Sequence, residues 1–154
     1  NTLTINGERH LVESNAPITR TFESKKQKGA EVDLSTVFAN SVKKAVRTVI
    51  LDQKDHLEVI DRLETRDKEA TVSWIMVTPA EAKITGKNRI ELTKDGQRML
   101  LTADTGTEVE MKIWSNVPPH EYDFRNPGTI RVGFETVIPA HCASQLKVRL
   151  IPLK

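Results

Sequence analysis

Short runs of alternating apolar and polar residues recur along most of the 154-residue chain, and such runs are typical of half-buried β-strands. In Glu108–Trp114, the apolar Val109, Met111 and Ile113 alternate with charged residues, so one face of the predicted strand is apolar. The same pattern occurs at 57–64, 72–76, 90–92, 129–135 and 145–150. Asp61 is the anomaly, because it falls on the apolar face of its predicted strand.

Turn-forming residues separate these runs at the lengths that β-hairpins need. Asn6-Gly7 is predicted to join 2–5 to 8–12, and Asp95-Gly96 is predicted to close a second hairpin, since both dipeptides tolerate positive φ. Short links are also predicted at 52–55 and 85–88. These links favour antiparallel neighbours, because parallel strands need crossovers of a dozen residues or more.

One segment, Asp33–Lys44, has a helical pattern, with Asp33 or Ser35 as its cap. It is short and runs into β-branched residues, so a turn or two of helix is expected at most. With ten or more strands and no βαβ rhythm, the predicted fold is all-β: an antiparallel two-sheet β-sandwich, supersandwich-like, in a single domain over 1–154. A closed barrel is the lesser option.

Composition narrows the functional classes mainly by exclusion. A hydrophobic content of 38% allows a real core, and a formal charge of +2 argues against a dedicated nucleic-acid partner. The longest stretches without charged residues, 70–80 and 136–146, have 11 residues each, whereas about 20 residues span a bilayer. No membrane partner is therefore predicted. The single cysteine, Cys142, excludes an intrachain disulfide.

The stretch Ser115–Gly128 is the first candidate site, because fourteen residues without an obvious element is long for a compact domain. His120, Tyr122 and Arg125 lie within six positions of one another. These side chains are able to move protons beside a carboxylate whose charge the guanidinium offsets. The alternative is a purely structural loop, rigidified by prolines and packed onto the sandwich by Tyr122 and Phe124.

The second candidate is the basic run Arg20, Lys25, Lys26 and Lys28, closed by Gly29. Such a run is able to hold the sulfates or carboxylates of an acidic polymer. The alternative is a solvated hairpin end, since lysines on edge strands also deter aggregation.

No cofactor or metal site is predicted. The four histidines are widely spaced and form no HxH or HExxH pattern. His141 and Cys142 are adjacent, but neighbours on a strand point to opposite faces, which argues against a nucleophile–base pair.

The two tryptophans have different predicted surroundings. Trp74 falls on an apolar face and is expected in the core. Trp114 falls on the polar face of its strand, where it either stacks on a sugar or packs against a neighbouring domain.

Four passages, in this order, resemble the C-terminal β-sandwich region of heparinase II/III-like polysaccharide lyases. They are NTLTINGERHLV at 1–12, GAEVDLSTVFANSVKKAVRTVILDQKDHLEVIDRLE at 29–64, ATVSWIMVTPAEAKI at 70–84 and IWSNVPPHEYDFRNPGTIRVGFE at 113–135. The resemblance covers most of the chain.

The resemblance implies eliminative cleavage of a uronate-containing polysaccharide, in a cleft between an upstream helical toroid domain and the β-sandwich. A base removes the proton α to the uronate carboxylate, and a general acid protonates the 4-linked leaving oxygen. The toroid supplies a tyrosine and an asparagine or histidine, and the β domain supplies a histidine from a segment like HNTL. A periplasmic or secreted location is implied as well.

The likeness to HNTL begins at Asn1, so the family's histidine would be the residue immediately before Asn1. Asn1 is carried over as a neighbour of the active site, and no residue of this chain is expected to be catalytic. Some relatives hold a metal beside that histidine, but Thr2 stands where a second histidine would be required. A start at Asn1 rather than methionine places any targeting signal upstream.

The leading hypothesis is that the chain is one wall of a lyase cleft and is inactive alone. The residues expected to contact an acidic polysaccharide are Asn1, Arg20, Lys25, Lys26, Lys28, His120, Tyr122 and Arg125. A non-catalytic module for carbohydrate binding or protein docking is the alternative. A mutarotase-like enzyme is a third hypothesis, although no suitable pair of histidine and carboxylate is evident.

Overall fold

The computed structural model describes residues 2–106, 109–118 and 120–153, and this part of the chain forms twelve strands. The strands are β1 (Thr2–Ile5), β2 (Ile18–Glu23), β3 (Gln27–Asp33), β4 (Lys44–Asp52), β5 (Leu57–Glu64), β6 (Ala70–Thr78), β7 (Glu81–Gly86), β8 (Arg89–Lys94), β9 (Gln97–Asp104), β10 (Glu110–Ser115), β11 (Ile130–Ile138) and β12 (Ala143–Leu153).

Two antiparallel sheets pack face to face, so the predicted all-β sandwich is confirmed. The small sheet has the order β1-β6-β11-β10, and the large sheet has the order β2-β3-β4-β5-β12-β9-β8-β7. Leu146, Val148 and Leu150 on β12 are buried between the sheets, as their alternation predicts. On the facing sheet, Trp74 and Phe134 are buried and stack with their ring planes 2° apart.

The segment 34–43 forms turns, and the described residues contain no helix and hence none that would cross a membrane. Two helix-like hydrogen bonds do form, from Phe38 N to Leu34 O at 3.2 Å and from Val42 N to Phe38 O at 3.0 Å. Phe38 and Val42 are buried in the core cluster. The segment therefore closes one end of the core without propagating into a helix.

The Asn6-Gly7 turn forms, but the predicted hairpin from 2–5 to 8–12 is wrong. Asn6 and Gly7 have φ values of 55° and 69°, yet β1 pairs with β6, and 8–12 is not a strand. His10 Nε2 lies 3.0 Å from the carbonyl oxygen of Leu3, and its ring packs edge-on against Phe38. These contacts hold the segment beside β1 in an irregular conformation. The Asp95-Gly96 hairpin, between β8 and β9, is confirmed.

One end of the sandwich collects five of the links between strands. It is formed by 24–26, 53–56, 79–80, 95–96 and 116–129, and we call it the loop end. The two sheets share this end because only residues 79 and 80 separate β6 from β7. Links 6–17, 65–69 and 139–142 lie at the opposite end.

Candidate functional site

The loop 116–129 joins β10 to β11, and hydrogen bonds fasten its base. Asn116 Nδ2 donates to Thr129 Oγ1 at 2.7 Å, and Thr129 Oγ1 donates to the carbonyl of Asn126 at 2.7 Å. Arg131 Nε donates to the carbonyl of Ser115 at 3.0 Å. The two ends of the loop are therefore held together at the rim of the small sheet.

Above this base lies a groove of about 480 Å³, lined in part by Asn116, His120, Glu121 and Arg125. The rings of His120 and Tyr122 stack with centroids 5.0 Å apart and planes 12° apart. The structure thus brings three sequence-predicted residues, His120, Tyr122 and Arg125, together on one loop.

Tyr122 and Phe124 are 83% and 86% exposed, so they do not pack the loop onto the sandwich. Burial and charged neighbours are the main devices that tune a catalytic acid or base. Because Tyr122 is open to solvent, it suits contact with a ligand better than proton transfer. An exposed aromatic ring is able to stack on the apolar face of a sugar.

Asn1 lies outside the described residues, but the direction of β1 is defined from Thr2 onward. Thr2 is opposite Ile75, whereas Ser115 and Thr78 both lie opposite Ile130. Thr2 is therefore three positions along β6 from the row where loop 116–129 begins, about 10 Å along the strands, and three strand spacings, about 14 Å, separate β1 from β10 across the sheet. The chain enters β1 from the loop end.

The basic run does not form one patch. Arg20 and Glu23 are three positions apart on β2 and so face opposite sides of the large sheet. Lys28 is opposite Glu23 in register and shares its face, whereas Arg20 lies 5.1 Å from the ring centroid of Phe22 on the other face. Lys25 lies in the turn between the two strands.

Acidic side chains surround the lysines of this run. A groove of about 230 Å³ is lined by Lys25, Lys26 and Lys28, but also by Asp52 and Asp55. A hydrogen bond from the backbone N–H of His56 lowers the pKa of Asp52, which keeps this carboxylate charged. The positive potential of the run is reduced accordingly.

The basic run and loop 116–129 share the loop end but are separate sites. The run lies on β2 and β3, whereas β10, which carries the loop, packs near β7. Six strand spacings separate β3 from β7 in the large sheet, a distance of about 29 Å. The groove at the basic run and the groove at loop 116–129 share no lining residue.

The outer face of the small sheet carries a row of residues that sequence reasoning did not assemble. Trp114 lies opposite Arg131, and Arg131 lies opposite Val77. Alternation with the buried Met111 and Val132 directs this row away from the core. The sequence places Arg131 on a polar face, but only the strand register shows which residues are its neighbours.

A neighbouring row on this face is an ion-pair cluster. Lys112 Nζ binds the carboxylate of Glu135 and lies 3.2 Å from Glu110 Oε2, and Ser73 Oγ donates to Glu135 at 3.0 Å. Hydrogen bonds to Glu135 and Glu110 raise the pKa of Lys112, and the bond from Lys112 lowers the pKa of Glu135. The two carboxylates therefore offset the positive charge of Lys112.

The described residues hold no group of three or more histidine, cysteine, aspartate or glutamate side chains arranged to bind a metal ion. Cys142 lies at the end opposite the loop end, and its Sγ is 3.6 Å from the carbonyl oxygen of Ala143. Neither finding adds a second site.

Comparison with solved structures relates the fold to heparinases. A structure of heparinase III superimposes with a TM-score of 0.77 at 14% identity, over 99% of this chain and 23% of that one. A second heparinase III gives 0.73 at 16% identity, over 100% and 23%. Heparan sulfate lyase HepC from Pedobacter heparinus gives 0.68 at 17% identity, over 99% and 24%.

No protein-family model and no curated protein matches the sequence. The chain spans about a quarter of the length of the solved lyases, 23–24%. At these identities the likeness shows the shared fold. The sequence resemblance to the β-sandwich region of heparinase-like lyases is thereby confirmed at the level of structure.

Proposed function

We propose that this chain is the β-sandwich wall of the substrate cleft in a lyase that cleaves uronate-containing polysaccharide, and that it is inactive alone. The observation that carries the proposal is the superposition with heparinase III over 99% of the chain. The proposed partners are an acidic polysaccharide and an upstream helical toroid domain of the same protein. The proposed location is periplasmic or secreted.

The proposed reaction is a β-elimination. A base takes the proton from the carbon α to the uronate carboxylate, the bond to the 4-linked oxygen breaks, and a carbon–carbon double bond forms. The departing oxygen receives a proton from a general acid. The reactive histidine of the sandwich side is proposed to be the residue immediately before Asn1, and the other groups come from the toroid.

The arrangement of the loop end supports this placement. The chain enters β1 from the same end that carries loop 116–129, so a residue preceding Asn1 and continuing β1 would lie near that loop. In the proposed complex, Arg125 binds a uronate carboxylate through its two-donor fork. The stacked rings of His120 and Tyr122 contact a sugar face.

The basic run has a lesser role in this proposal. Lys25, Lys26 and Lys28 are exposed at the loop end and contact anionic groups of the polymer far from the cleavage point. Arg20, on the opposite face of β2, contacts the polymer only where it wraps around the sheet edge.

A specific observation also favours the second hypothesis, a non-catalytic carbohydrate-binding or protein-docking module. Tyr122 and Phe124 are both exposed aromatic residues of one loop, and exposed aromatic rings are expected of such a module. This module would bind oligosaccharide without any upstream domain, and the protein that contains it would not cleave the polymer.

The test compares this chain with the protein extended upstream on heparin, heparan sulfate and other uronate polymers, by the absorbance of the unsaturated product. We expect activity in the extended protein and none in the isolated chain. In the extended protein, Arg125→Ala should raise KM about tenfold, because a charge-assisted pair is lost. Arg9→Ala, exposed at the opposite end, is the matched control. Background activity of the extended protein on every polymer would remove the lyase proposal.

A further inference from the structure

Trp114 and Arg131 occupy one row at the edge of the loop end, directly below loop 116–129. They are cross-strand partners on β10 and β11, and both are half-buried. Partners in a ladder are about 5 Å apart, so the two side chains leave neighbouring strands on the same outer face of the sheet.

Arg131 lies on this face and contacts a neutral group, the backbone carbonyl of Ser115. Lys112 is held by two carboxylates, whereas Arg131 donates through Nε to the backbone carbonyl of Ser115. A guanidinium bound through Nε retains four N–H donors on its two terminal nitrogens, in the planar geometry that a carboxylate accepts. Arg131 is thus fixed in place while it keeps its capacity to bind an anion.

The two tryptophans of the chain lie on opposite faces of the small sheet. One of them, Trp74, lies on the inner face of the sheet and is 4% exposed. Trp114 instead projects from edge strand β10 beside Arg131, next to the fastened base of the loop. A large ring held on a rigid strand loses little conformational freedom when it binds a ligand.

Acidic residues on this face limit where an anionic polymer binds. Glu110 and Glu135 lie opposite each other, four positions from Trp114 along β10, or about 13 Å. An anionic polymer is repelled there and is favoured along the row of Trp114 and Arg131.

We propose that Trp114 and Arg131 form a saccharide subsite on the outer face of the small sheet, and this inference rests on the proposed function. The indole stacks on the apolar face of a pyranose ring, and the guanidinium binds a uronate carboxylate. The subsite extends the contact surface of loop 116–129 down onto the sheet. It determines where the polymer lies and takes no part in proton transfer.

The test uses the extended protein and an unsulfated uronate hexasaccharide as the probe. Trp114→Ala should weaken binding about fivefold to tenfold, and Trp114→Phe should restore most of it, because aromatic stacking depends on the ring. Arg131→Gln should weaken binding and flatten its dependence on salt. Trp74→Phe and Lys147→Gln, a buried ring and a cation of the other sheet, are the matched controls.

A second measurement is independent of variants that fail to fold. In the unaltered protein, the half-buried indole of Trp114 should be quenched by acrylamide and protected by the hexasaccharide. Its N–H resonance should shift on titration, while that of Trp74 stays in place.

Three outcomes would overturn the subsite. One is unchanged hexasaccharide affinity in Trp114→Ala and Arg131→Gln while the protein still cleaves polymer, which leaves the proposed function intact. Another is an indole that acrylamide cannot reach before saccharide is added, which shows that another part of the polypeptide covers this row. The third is a protein that neither binds nor cleaves any uronate polymer, which removes the proposed function as well.

Discussion

Asp61 faces the core from β5 at 1% exposure, and both of its carboxylate oxygens accept hydrogen bonds from the guanidinium of Arg47 on β4. The Nε–Oδ1 distance is 2.7 Å, and the Nη2–Oδ2 distance is 2.9 Å. The two residues are directly opposite in the β4–β5 ladder. The anomaly in the alternating pattern of β5 is therefore a buried, bidentate ion pair.

Removing one partner of this pair should destabilise the fold strongly. Asp61→Leu leaves the Arg47 guanidinium without its carboxylate, and Arg47→Met leaves a buried carboxylate. Each should lower the free energy of unfolding by about 3–5 kcal/mol in urea titrations. The double variant should lose much less than the sum, since no uncompensated charge remains.

The exposed pair Arg98 and Glu91 is the control for this experiment. Arg98 is half-exposed, with 52% of its side chain accessible, so Arg98→Met should destabilise the fold much less than either variant of the buried pair. Strictly additive losses in the Arg47 and Asp61 variants would contradict the coupling.

Gly133 is required by the close approach of β11 to β6. A Cβ at this position would lie 1.8 Å from the carbonyl oxygen of Trp74, a backbone atom that cannot move without separating the strands. Gly133→Ala should therefore destabilise the chain by about 3 kcal/mol or more in thermal or urea unfolding. Gly86→Ala is the matched control, because the nearest atom there is 3.7 Å away, on a side chain. Equal stability of the two variants would show that β11 has room to shift.

The Glu135–Lys112 pair predicts a dependence of stability on acid. The hydrogen bond from Lys112 places the folded-state pKa of Glu135 below its ordinary 4.5. The pair's contribution is therefore complete above pH 4.5 and is lost as the pH falls through the lowered pKa. Unfolding measured from pH 6 to pH 3 should show a shallower loss for Glu135→Gln than for the unaltered chain. Identical slopes would mean that the pair does not persist in solution.

The lysine run makes a prediction that is separate from the loop. Changing Lys25, Lys26 and Lys28 together to alanine should weaken the binding of heparin and flatten its dependence on salt, because three positive charges are removed. The neighbouring Asp52 and Asp55 keep the expected loss to about fivefold. Affinity that does not change would show that the run is a solvated hairpin end.

Several local features were predictable because nearest neighbours along the chain decide them. Leu146, Val148 and Leu150 alternate with polar residues, and the structure buries all three. Asp95-Gly96 adopts positive φ at both positions and joins β8 to β9. For the site, the alternation of β10 is sufficient to place Trp114 on an outer face.

Contacts between residues that are distant in the sequence could be identified only from the folded structure. The Asn6-Gly7 turn was identifiable, but the strand that pairs with β1 was not, because β1 pairs with β6, whose residues lie about 70 positions further along the chain. Tyr122 was equally compatible with packing and with exposure, since a loop has no periodicity to decide its faces.

The amino-acid sequence alone determined the buried face of strands such as β12 and the Asp95-Gly96 turn, since these depend on alternation and backbone preference over a few residues, but it also predicted a strand at 8–12 that does not form. Only the tertiary structure decided that Arg47 neutralises Asp61, that Trp114 lies beside Arg131, and that the basic run and loop 116–129 share an end without sharing a site. The physical reason is that strand order and register arise from the packing of the whole core, which no local pattern encodes.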